Sequence, residues 1–148
     1  MDILTVADCH GQLHEDKLLE TLAGRTPDVI FFLDDNDAND IECVQANIKN
    51  VNMYGVIGNH DYRDILKDYG IEDLHMKIVN FDGFLIGGCG GTVKYKSDSS
   101  KLMFTNEESE NLFASFPKCD ILITHDRPCF RAEKQQKEKQ EEKPLTLF

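Results

Sequence analysis

The sequence predicts a mixed-sheet α/β domain. Three observations carry that expectation. Apolar strands alternate with helical segments through the first part of the chain, a tight hairpin signal follows at Asp82-Gly83, and four apolar strands each run into a cluster of carboxylate, amide or imidazole side chains. At 148 residues, 41% of them hydrophobic, the chain has the size of one domain and can bury a core without disulfides or a structural metal.

The elements follow in order. Ile3 to Ala7 is a short apolar run, expected as a strand buried on both faces, and it ends in Asp8-Cys9-His10-Gly11. Asp16 to Leu22 has the spacing of a short helix, stopped by Gly24 and Pro27. Val29 to Leu33 is a continuous apolar strand running into the acidic loop from Asp34 to Asp40. A helix is expected over Ile41 to Ile48, a strand near Met53 to Ile57 ending in Gly58-Asn59-His60-Asp61, and a helix over Arg63 to Asp68 terminated by Gly70. Lys77 to Phe81 and Phe84 to Ile86 flank the Asp82-Gly83 turn. Gly87 to Gly91 reads as a flexible loop, without the Gly-Lys-Ser/Thr ending of a phosphate cradle. Asn106 to Phe116 is a helix with Leu112, Phe113 and Phe116 on its apolar side, and Asp120 to Ile123 is a strand ending in Thr124-His125.

A domain is therefore expected over 1–130, followed by a tail over 131–148. Arg131 to Lys143 is almost wholly Lys, Glu and Gln, with no apolar stripe, and reads as a solvated helix or a disordered linker. Pro144 to Phe148 is apolar again.

Composition excludes several classes. The formal net charge of −11 repels phosphate backbones at long range, so non-specific coating of nucleic acid is not expected. Five cysteines, without a CxxC pair, form neither a disulfide framework nor a zinc knot, and free thiols in a reducing cytoplasm are the simplest reading. Neither a signal peptide nor a membrane span is expected.

The chemistry lies in the strand-end clusters: Asp8/His10, Asp34/Asp35, Asn59/His60 and His125. In open α/β sheets ligands bind beyond the carboxyl ends of the strands, so residues distant in sequence meet at one rim. Each cluster alone would be an ordinary polar turn; four together point to a site. Carboxylates and imidazoles suit Mn²⁺, Fe²⁺ and Zn²⁺. Two such ions roughly 3.5–4 Å apart can clamp a phosphoryl group for in-line attack. A calcium loop over 34–40 is rejected, because the required glycine and terminal glutamate are absent. Cys9 reads as a structural thiol, and His14 and His75 as surface residues.

Asp8-x-His10-Gly11, the strand ending at Asp35, Gly58-Asn59-His60-Asp61 and Thr124-His125 resemble the successive motifs of calcineurin-like metallophosphoesterases, in particular the small bacterial and archaeal phosphodiesterase branch. The resemblance covers residues 1 to about 128 and implies a two-sheet sandwich flanked by helices. It implies two divalent ions, Mn²⁺ first and Fe²⁺, Zn²⁺ or Ni²⁺ as alternatives. Asp8 and His10 would hold one ion, Asn59 and His125 the other, and Asp35 would bridge them. His60 would contact the phosphate and assist the leaving group, oriented by Asp61. The substrate would be a small phosphate ester or a nucleotide.

The chain departs from the family pattern in three places. Asp34 stands where the family has glycine, and Ala38 where it has a second aspartate. No Gly-His-x-His motif follows His125. The resemblance then implies a fold truncated at the C-terminus, with one ligand missing from each ion and a sheet edge open to pairing in a homodimer. A degenerate phosphoesterase body acting as a binding protein is the competing expectation. For that reading, Pro144-Leu145-Thr146-Leu147-Phe148 resembles the Gln-Leu-Ser/Asp-Leu-Phe peptides that dock on bacterial sliding clamps, with Pro144 in place of the glutamine.

Overall fold

A computed structural model describes residues 1–95, 97 and 102–126. Along the chain lie β1 (Ile3–Ala7), α1 (Glu15–Leu22), β2 (Val29–Asp34), α2 (Ala38–Asn47), β3 (Asn52–Gly55), α3 (Ile65–Asp68), β4 (Glu72–Asp73), β5 (Ile78–Phe81), β6 (Phe84–Cys89), β7 (Thr92–Val93), β8 (Met103–Phe104), α4 (Asn106–Ser115) and β9 (Ile121–Thr124). The expected domain boundary near 130, the charged segment and the C-terminal peptide lie outside the described residues.

Two main sheets build the mixed α/β architecture. The first is parallel, in the order β1-β2-β3-β4. The second has the order β5-β6-β9, with β5 and β6 antiparallel and β9 parallel to β6. A small parallel pair, β7-β8, lies beside them. The β5–β6 hairpin closes as its sequence predicts: Phe81 pairs with Phe84, and Asp82 and Gly83 take the positive φ values that a two-residue primed turn requires.

β2 organises the core because its alternate side chains serve two layers. Ile30 and Phe32 pack with Leu18, Ile41, Val44 and Leu66 on the helical side. Val29 and Phe31 pack with Val56, Ile86 and Ile123 toward the second sheet. All four β2 residues are essentially buried, which is why this strand reads as an unbroken apolar run.

β1 corrects an expectation. It is an edge strand with an alternating pattern: Leu4 and Val6 are buried against the helices, while Ile3, Thr5 and Ala7 are exposed. Among the described residues, the cluster between the two sheets contains no β1 side chain. A short run of apolar residues cannot distinguish this arrangement from burial on both faces.

The glycine-rich segment is a second correction. Gly87, Gly88 and Cys89 belong to β6 and pair with Leu122, Ile123 and Thr124 of β9. The reason is close packing. A Cβ on Gly88 would lie 2.9 Å from the Leu74 carbonyl oxygen and 2.7 Å from the Val56 side chain. His75, expected at the surface, is half-buried: its ring stacks on Phe104, and its Nδ1 accepts a hydrogen bond from the Gly90 N–H at 3.1 Å. In α4, Leu112 and Phe116 are half-buried as expected, but Phe113 remains exposed. None of the described helices is long and apolar enough to cross a membrane.

Candidate metal centre

The carboxyl ends of β1, β2 and β9, and the loop after β3, carry the expected residues. The backbone there is bent for the purpose. Asp8, His10 and Asp35 all have positive φ, at 55°, 49° and 37°. Aspartate and histidine tolerate that region better than most side chains. The turns aim the three side chains at one another: a ligand atom from each of Asp8, His10 and Asp35 lies within 4.8 Å of the others. His10 Nε2 is 2.8 Å from Asp8 Oδ1. Asp8 and His10 face solvent, whereas Asp35 is buried.

Backbone N–H groups fix the buried partner. Asp35 Oδ1 accepts from His60 N–H at 2.9 Å, and the Asp35 carbonyl accepts from His10 N–H at 3.1 Å. Asp61 Oδ2 accepts from the N–H groups of Asp35 at 3.0 Å and Gly58 at 2.7 Å. Burial, together with the negative charge of Asp35, pushes the Asp61 carboxyl up to about 6 against the pull of these N–H groups. Gly58 is required by closeness: a Cβ there would overlap the Asp35 carboxylate.

The second cluster forms around His125. Its Nε2 lies 2.9 Å from Asn59 Oδ1, and its Nδ1 lies 2.6 Å from Asp34 Oδ2. Burial opposes charging of this ring, but the bond to Asp34 and the charges of Asp34, Asp35 and Asp126 prevail and hold its pKa above the ordinary histidine value. Asn59 is buried, and its Nδ2 donates to the Tyr95 hydroxyl at 3.0 Å. His60 is exposed, its ring edge-on to His10 with centroids 5.8 Å apart. Cys9 is half-buried, with Sγ 3.5 Å from the Ala7 carbonyl oxygen, in keeping with a structural thiol.

Three contributors were not legible beforehand. Asp40 is fully buried and joins two loops: its carboxylate accepts from the N–H groups of Gly11 (2.6 Å), Leu13 (2.8 Å) and Asp37 (2.9 Å). The Asp37-x-x-Asp40 spacing at the start of α2 is a capping-box signal that could have revealed it. Asp126 accepts from Thr92 Oγ1 at 2.7 Å and from Val93 N–H at 3.1 Å, and so ties the strand before Tyr95 to the His125 loop. Tyr95 itself has no sequence signal.

The donor set fits divalent cations. Carboxylate oxygens, an amide oxygen and imidazole nitrogens converge where several aspartates crowd together, and bound cations would relieve that crowding. Asp8, His10 and Asp35 form one group of donors. Asn59 Oδ1 and His125 Nε2 are near enough to each other to serve one further ion.

A two-sheet α/β fold with an aspartate- and imidazole-lined rim at its strand ends is a candidate site for divalent cations. The chain matches the family model of the calcineurin-like phosphoesterase superfamily domain over residues 1–148, and it belongs to that family. No match is found among curated proteins.

Proposed function

We propose that this protein hydrolyses phosphate esters, diesters or monoesters of small molecules or nucleotides, with two divalent ions, Mn²⁺ first among them. One observation carries the reading: donor atoms of Asp8, His10 and Asp35 lie within 4.8 Å of one another at the ends of adjacent parallel strands. Asp8 and His10 hold the first ion, Asn59 and His125 the second, and Asp35 serves both. When bound, the ions supply Lewis-acid stabilisation of the charge on the phosphoryl oxygens and lower the pKa of water.

The chain's own residues do the rest. The His60 N–H holds the Asp35 carboxylate at Oδ1 and the His10 N–H holds the Asp35 carbonyl, so the side chain and its turn are both preorganised. His60, exposed at the rim beside His10, faces the space a phosphate ester would enter. Its imidazole can donate a proton to the departing oxygen. Asp61 is the expected orienting partner of His60, and its bonds to Gly58 and Asp35 N–H groups tie the His60 loop to the Asp35 turn.

Hydrolysis of bis(p-nitrophenyl) phosphate with Mn²⁺ tests the reading, comparing wild type with Asp35→Asn. Turnover that collapses in the variant supports it. A folded wild type with no turnover above the variant would overturn it.

A second reading, a phosphoesterase fold retained for binding, is favoured by one observation. Both ring nitrogens of His125 are engaged within the protein, by Asp34 and Asn59. Failure of the wild type in the same assay would leave that reading standing.

A further inference from the structure

Asp34 closes β2 with its side chain largely buried, at 14% exposure. An aspartate is poorly suited to that place unless its carboxylate is satisfied. Both oxygens are. Oδ1 accepts from the Asp8 N–H at 2.9 Å, and Oδ2 meets His125 Nδ1 at 2.6 Å. The first contact reaches β1, a neighbour in the same sheet. The second spans 91 positions of sequence and reaches β9 in the other sheet.

The consequence for His125 is specific. An imidazole held at Nδ1 by a carboxylate carries its proton there and offers Nε2 as the ligating nitrogen. Nε2 lies 2.9 Å from Asn59 Oδ1, a contact the ring makes as a donor while it carries both protons; a cation bound there would take the place of the Nε2 proton between the same two atoms. Asp8, Asp35 and Asn59 come from the first sheet and the loop after it, whereas His125 follows β9 of the second. Asp34 is thus the charged strap that registers the His125 side of the rim against the others.

We propose that Asp34 is a positioning residue: it fixes the tautomer and orientation of His125 so that Nε2 completes the second ion site. The assignment rests on the two-ion reading of the rim, but part of its test needs no metal. In Asp34→Asn, the amide oxygen can keep the Asp8 bond, while the amide NH₂ faces Nδ1 and drives the proton onto Nε2, which then cannot bind a cation.

The test has two readouts. In metal-free protein in mildly alkaline buffer, ¹⁵N–¹H correlation of the imidazole rings should find the His125 proton on Nδ1 in wild type and on Nε2 in Asp34→Asn. Calorimetric titration with Mn²⁺ should find a second ion bound roughly 10–100-fold more weakly in the variant, with the first ion changed far less. Should Asp34→Asn fold poorly, Asp34→Ala combined with His125→Ala gives the same answer: the double variant should lose no more second-ion affinity than His125→Ala alone. An unmoved tautomer, or a second ion bound equally by wild type and Asp34→Asn, overturns the assignment while leaving the two-ion reading intact. A wild type that binds no second ion overturns both.

Discussion

Asp40 and Gly11 are joined by a 2.6 Å hydrogen bond from the Gly11 N–H to the Asp40 carboxylate, across 29 positions of sequence. With Leu13 and Asp37 donating to the same carboxylate, Asp40 holds the Asp8-His10 loop against the start of α2. Asp40→Ala leaves three N–H groups without their acceptor. At about 1 kcal/mol or more for each, the loss is about 3 kcal/mol and roughly 10 °C in Tm. Asp40→Asn keeps one acceptor oxygen and should lose less. Thermal unfolding of the two variants checks the order, and an Asp40→Ala protein that melts with the wild type would show the clamp to be idle.

Gly58→Ala places a methyl group on the Asp35 carboxylate, and the Cβ of Asp34 lies 3.1 Å from the same point. Asp35 must move, and with it the one residue assigned to both ions. We expect Mn²⁺ affinity to fall at least about tenfold, as for disturbed ligand support in metal sites. Titration calorimetry beside a melting curve separates loss of metal from loss of fold. Retained affinity would mean that the loop relaxes around the methyl group.

The Tyr95 ring is 61% exposed, and its hydroxyl accepts from Asn59 Nδ2. Tyr95→Phe removes one hydrogen bond to an assigned ligand and almost no packing. A bond worth about 0.5–1.5 kcal/mol corresponds to a roughly two- to tenfold fall in Mn²⁺-dependent turnover, with Tm lower by no more than about 5 °C. Steady-state kinetics at saturating Mn²⁺ decides; equal rates would remove Tyr95 from the site.

His75 supplies a pH dependence remote from the rim. Burial holds its pKa below the ordinary value of 6.5, outweighing Asp73 and assisted by Lys77. A histidine depressed in the folded state contributes stability that is present above 6.5 and is lost as pH falls through its lower folded value. Wild type should therefore destabilise more steeply than His75→Gln on acidification below 6.5. Denaturant midpoints at a series of pH values measure the difference, and parallel curves would contradict the burial argument.

Much of the rim was legible because its residues lie where strands end, and strand ends are marked by apolar runs meeting polar clusters. Asp8, His10, Asp35, Asn59 and His125 stand at such junctions. The errors came where periodicity carries no information. Ile3 to Ala7 is too short to reveal that only alternate residues are covered, and Gly87 to Cys89 looks like a loop because the cause of its glycines is the Leu74 backbone and the Phe116 ring. Asp34 shows as a departure in sequence, but its partner 91 positions away does not. Pairings of that range are decided by how the two sheets stack.

The left-handed turns at Asp8, His10 and Asp35 set ligand geometry against backbone comfort. Glycine would occupy each of these positions with less strain. Drift at these positions is therefore asymmetric. A substitution that destroys the site can leave the fold as stable or more so, and folding alone gives selection no means of noticing. Lineages of such a chain released from catalytic duty would be expected to lose these side chains first and keep the scaffold longest. On the two-ion reading, Asp8, His10 and Asp35 are the positions where a glycine would cost the site and spare the scaffold.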